Sequence, residues 1–177
     1  MDPDDRRHPP LAGDEVTTLR AYLDYHRDTL RWKVDGLTGE QLSQRLEPST
    51  MTLGGMMKHL ALVESNWFDV VLAGADYMPP FDGVDWEEDQ DWDWDSAVDD
   101  TPEQIRALFD EAVARADRII DEALASRGLD TLSARPSRRS GDPYSLRWIL
   151  VHMIEEYARH NGHADLIRES IDGSTGD

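Results

Sequence analysis

A chain of 177 residues, 39% hydrophobic, without Cys and with a formal net charge of −19, is long enough for one well-buried core and short for two. The acidity argues against nucleic acid, whose phosphates need Lys and Arg to displace counterions, and against an anionic membrane surface. Without Cys there is no disulfide framework, thiolate metal site or cysteine nucleophile, so any thiol chemistry needs a thiol from outside the chain.

Residues 1–13 are polar with a Pro pair and read as a flexible leader. They lack the apolar stretch of a secretory signal, and no run approaches the roughly 20 apolar residues of a membrane span, so a cytoplasmic protein is expected. Residues 14–173 read as a single helical domain and 174–177 as a tail. Val16, Leu19, Leu23, His26 and Leu30 recur at helical spacing, predicting a first long helix up to Gly36. Thr38 followed by Gln41 has capping-box spacing, predicting a short helix over 39–46 before Pro48. Thr50 or Thr52 caps the next helix, whose stripe holds Met56, His59, Leu60, Val63, Trp67, Val70 and Val71 and which Gly74 ends. Residues 75–100, with a Pro pair and dense Asp and Glu, form a long connection. Thr101-Pro102-Glu103 opens a third long helix closed by Gly128. Residues 129–143 form a basic loop with Arg135, Arg138 and Arg139, and a last helix runs from about Ser145 to Ile171. No alternation lasts long enough for a strand. The expected fold is all-α: a four-helix bundle with an extra short helix and a long acidic loop between the second and third long helices.

Between His59 and Ile105 stand 14 acids and no Lys or Arg, so the net charge is largely one segment. Like charges repel and stay wet, which makes a solvated loop one reading. Phe81, Trp86, Trp92 and Trp94 support another, a lid whose aromatics pack over a cavity mouth. The spacing of DWEEDQDWDWD is not that of a calcium-binding EF-hand loop.

The last helix carries His152, Glu155, Glu156, Arg159, His160 and His163. Glu156 and His160 are four residues apart, so both rise from one face and can converge on a cation. His152 and His163 lie one turn up and down, and spacing alone does not decide which pair binds. A third ligand must come from another helix, with His59 first and His26 second. Histidines on inward faces are more often hydrogen-bonded core groups, but three with a carboxylate in twelve residues are hard to satisfy in a core without a cation. Trp67 and Trp148 read as core.

The segments MKHLALVESNWF at 57–68 and SLRWILVHMIEEYARHNGHADLIRE at 145–169, with LDYHRDTLRWKVDGLTGEQL and TLGGMMKHL before them, resemble the DinB-like metal-dependent bundle superfamily, particularly its mycothiol-dependent maleylpyruvate isomerase and thiol-transferase branch. The resemblance implies His59, Glu156 and His160 as ligands of a divalent metal, zinc first, with nickel, iron or manganese open. It implies mycothiol or a similar thiol as cosubstrate, activated at the metal for attack on a small electrophile. His163, His152 and His26 are then supporting residues behind the ligands, and Arg159 or the loop arginines are anion contacts. The alternatives are a metal-binding or stress-response bundle without turnover, and a purely structural bundle. A homodimer is compatible with such a bundle.

Overall fold

The computed structural model describes residues 6–175. Four long helices form the bundle: α1 (Glu15–Val34), α3 (Leu53–Glu64, continued by a π-helix over Ser65–Leu72), α5 (Pro102–Arg127) and α6 (Leu146–Asp172). Two single-turn helices, α2 (Gly39–Leu42) and α4 (Trp92–Asp95), lie in the connections. The main packing is α1 on α6 and α3 on α5. Among the described residues there is no strand, only an isolated bridge between Leu132 and Ser145, and no helix is long and apolar enough to cross a membrane.

Side-chain caps set the helix starts. Thr52, rather than Thr50, accepts from the Gly55 N–H, while Thr38 and Thr101 form capping boxes with Gln41 and Gln104. Each cap satisfies a backbone donor that has no intrahelical partner. The short helix is one turn, not the predicted 39–46, and buries only Leu42. The end of the second long helix departs further from the sequence reading. Its last turns widen, with the Ala73 N–H bonded to the Phe68 carbonyl at 3.0 Å. The extra residue per turn rotates the face, burying Phe68, Asp69 and Leu72 while Trp67 and Val71 stay half-buried at the surface.

The buried row of α1 is Leu23, Arg27, Leu30 and Val34, with His26 half-buried beside it. Arg27, fully buried, makes a two-pronged ion pair with Glu64 on α3 at 2.7 Å for both bonds, and a third bond to Asp117 at 2.9 Å. The Tyr157 hydroxyl of α6 donates to the same Glu64 at 2.6 Å. One carboxylate thereby joins α1, α3 and α6.

Arg6, at 5% exposure, packs over the Tyr25 and Trp32 rings, and Arg7 forks onto Asp28 at 2.7 and 2.8 Å. These two residues of the expected flexible leader therefore lie on α1. Residues 1–5 of that leader and 176–177 of the expected tail lie outside the described residues.

The acidic segment has a folded inner side. Met78 and Phe81 are fully buried, Asp93 and Ala97 nearly so, and Trp86, Trp92 and Trp94 pack partly buried against the core. Lys58 reaches out from α3 to Asp100 at 2.5 Å, beneath the Trp92 ring. Gly55 makes this docking possible, since a Cβ there would stand 3.0 Å from the Trp94 ring and 3.1 Å from its carbonyl oxygen. Ala in place of Gly ordinarily stabilises a helix interior by about 1 kcal/mol. At Gly55 the sign is expected to reverse, with Gly55→Ala destabilising by roughly 1–3 kcal/mol, as for an overpacked core. A urea denaturation midpoint at or above that of the parent would contradict this.

Candidate metal centre

His59 sits in the second turn of α3, facing α6 and the docked α4. Its ring lies 5.0 Å, centroid to centroid, from that of His160 and stacks on Trp94 at 4.7 Å. Asp93, the residue before Trp94, places Oδ2 2.7 Å from His59 Nδ1. Its side chain is 3% exposed against 23% for His59. A carboxylate on Nδ1 fixes the tautomer, so that Nδ1 carries the proton and Nε2 is the nitrogen with a free lone pair. The same arrangement behind a metal-binding imidazole raises its basicity.

On α6, Glu156 lies between two histidines. Its oxygens are 3.7 Å from His152 Nε2 and 3.6 Å from His160 Nε2, beyond hydrogen-bond reach but close enough to share a cation. The Nδ1 atoms of His160 and His163 are buried without a hydrogen-bond partner. Burial, reinforced by His59, His163 and Arg159, pushes the His160 pKa down to about 4. The ring is therefore neutral at pH 7, the form that coordinates metals.

The depressed pKa also has a consequence for stability. The unfolded chain binds this proton near the model-peptide pKa of about 6.5 and the folded chain only near 4. Stability is thus complete above pH 6.5 and falls as pH drops through the window to 4. For metal-free protein, going from pH 7 to pH 5 is expected to remove about 2 kcal/mol through this group. His160→Gln should shrink the loss by that amount in paired urea titrations. An unchanged pH dependence would contradict the assignment.

The other sequence-predicted residues fall in different places. Among the described residues, the three donors whose ligand atoms lie within 4.8 Å of one another are His152, Glu155 and Glu156, all on α6; His59, Glu156 and His160 do not come that close together. His152 is held between the Trp67 ring at 4.6 Å and the Trp148 ring at 5.0 Å. Trp148 is 46% exposed, so it walls the site instead of filling the core. Glu155 is half-exposed and paired with Arg159, itself exposed on the outer face of α6. The His163 ring is 6.1 Å from that of His160. His26 sits against Tyr25 and Asn161, whose Nδ2 donates to the His26 carbonyl at 3.0 Å.

Sequence reasoning missed Asp93, and expected Trp94 only as one of four aromatics of a lid. The available signal was the alternation of Asp and Trp in DWDWD, which on a docked turn presents one acid and one ring inward.

The donor chemistry fits a divalent cation. Two imidazoles and a carboxylate on two helices are the donor types of a three-ligand site, and His160 Nδ1 is buried without a hydrogen-bond partner. Trp94 also lines a cleft of about 570 Å³, with Thr50, Thr52, Asp91 and Asp95 and without His59.

Comparison with known proteins bears on the family and on the fold. A family model described as mycothiol-S-transferase matches residues 18–173. Comparison with curated protein sequences finds no match. Among solved structures, the fold is similar to that of a conserved protein from Enterococcus faecalis, with a TM-score of 0.59 and 16% identity, over 92% of this chain and 100% of that one. At that identity the likeness speaks for the fold alone.

Proposed function

The chain belongs to the mycothiol-S-transferase family, within the DinB-like superfamily, and from that premise we propose a metal-dependent transferase that joins the sulfur of a mycothiol-like thiol to a small electrophile. The observation that supports the metal dependence is the Asp93–His59 pair set beside the His160 ring, with Glu156 one turn from His160 on α6. His59, Glu156 and His160 hold the cation, zinc first, with nickel, iron and manganese compatible with the same donors. A divalent cation bound there would supply Lewis acidity, which favours the thiolate form of a thiol beside it.

The chain's own residues do the rest. Asp93 keeps the His59 proton on Nδ1 and the ring in place. Trp94 covers both imidazoles, its ring 5.9 Å from that of His160, and limits water at the site. Glu156 adds a negative charge, which lowers the net charge of the cation site.

The test is thiol-dependent conjugation of monochlorobimane by protein loaded with zinc, nickel, manganese or iron(II), with mycothiol, bacillithiol and glutathione compared. The expected result is metal-dependent turnover that EDTA removes and that His59→Ala lacks. Metal binding without turnover with any of these thiols would overturn the transferase reading in favour of a metal-binding module.

A further inference from the structure

The basic loop after α5 is fixed in place. Ala134 and Arg135 N–H groups donate to the Leu72 and Val71 carbonyls at 3.0 Å each, and Ser133 N–H donates to the Tyr144 carbonyl at 2.8 Å. Its tip closes on itself through Ser137 and Asp142 at 2.8 Å. Between this loop and the π-helical end of the second long helix runs a groove of about 440 Å³. Its lining includes Arg135, Arg138 and Arg139 and no Asp or Glu, in a chain of net charge −19.

Arg135 is occupied with the Ala75 carbonyl at 2.7 Å. Arg138 and Arg139 are exposed and make no ion pair among the described residues. Three aromatic rings, Trp67, Tyr77 and Tyr144, wall the same groove. Trp67 also touches His152, so one indole separates the arginines from the carboxylate and histidine cluster. Paired guanidinium groups with nothing to neutralise them, beside flat apolar walls, are suited to a planar carboxylate ligand.

We propose that this groove binds the carboxylate of the electrophilic substrate, so that the enzyme acts on small unsaturated or aromatic acids. Arg138 and Arg139 take the carboxylate, the aromatic walls take the planar body, and Trp67 marks the end that meets His152. The proposal rests on the transferase reading for the word substrate. The binding itself does not.

The experiment is isothermal titration of the metal-loaded protein, without thiol, using trans-cinnamate and its neutral amide as probes at low ionic strength. The parent is expected to bind cinnamate at least about tenfold more tightly than cinnamide, a preference of about 1.4 kcal/mol. In the double variant Arg138→Ala/Arg139→Ala the preference should fall to within about twofold, with an unchanged far-ultraviolet spectrum and thermal midpoint. Raising the salt to 0.5 M should weaken cinnamate binding in the parent and leave cinnamide binding unaffected. Equal binding of the two probes, an undiminished preference in the double variant, or no saturable binding of either would overturn the proposal. Because no turnover is read, failure of the transferase reading leaves this result standing, and the reverse also holds.

Discussion

Glu64→Ala is expected to destabilise the protein by roughly 3–5 kcal/mol, the range for removing one partner of a buried ion pair. Such a loss would consume a large share of the roughly 5–15 kcal/mol that domains of this kind possess. The variant strands Arg27, whose side chain has no exposure. Burial opposes the Arg27 charge, but the Glu64 charge and hydrogen bonds outweigh it and hold the guanidinium pKa above its usual value. Without Glu64 that charge has only Asp117 and the partly exposed Asp24 to face. The Tyr157 phenol, kept protonated by its burial and by the Glu64 charge, would lose its acceptor as well.

Two further variants test this cause. Tyr157→Phe removes one hydrogen bond and leaves the ion pair, so a loss of about 1.5–3 kcal/mol, as for a bond to a charged group, is expected. The double variant Arg27→Met/Glu64→Leu removes both charges and should be less harmful than Glu64→Ala alone. Urea denaturation of the metal-free proteins reads all three. A double variant worse than the single would contradict the stranded-charge argument.

Asp93→Ala is expected to weaken metal binding by about 10–100-fold, as for loss of a carboxylate behind a metal-binding histidine. The side chain is almost fully buried and its polar contact is His59 Nδ1, so the substitution frees the ring to turn and removes the charge that fixes its tautomer. Asp93→Asn keeps the size and an acceptor oxygen, and should fall between the parent and Asp93→Ala. A competitive titration against a zinc-chelating dye measures each constant. Equal affinities across the three proteins would show that Asp93 serves only to seat α4.

The sequence made the helices legible because each combined an apolar stripe with a cap of known chemistry, as at Thr101, Pro102 and Gln104. Arg27 and Glu64 were not legible as core. A charged residue in an amphipathic pattern reads as surface, and only three-dimensional pairing shows that two such residues bury each other. The same limit applied to α1, where counting His26 in the stripe placed the inward face one residue away from Arg27. The π-helical end of the second long helix was hidden because Trp67, Val70 and Val71 still fit an ordinary helical stripe.

For the candidate site, the histidines and Glu156 could be found from spacing because their helices are regular. Asp93 could not be separated from the 13 other acids in its stretch. Its inward position depends on where α4 docks, which in turn depends on the bare surface of α3 at Gly55. The acidic segment therefore combines both expectations, with a wet outer side of Asp and Glu and an inner side of aromatics and the buried carboxylate of Asp93.

The most direct measurement is the metal content, by elemental analysis, of the reconstituted protein beside His59→Ala, Glu156→Ala, His160→Ala and the double variant His152→Ala/Glu155→Ala. A cation shared by α3 and α6 predicts about one equivalent in the parent, loss in each of the first three, and retention in the double variant. Retention of metal without His59, loss confined to Glu156→Ala and the double variant, or a parent that binds none would contradict it.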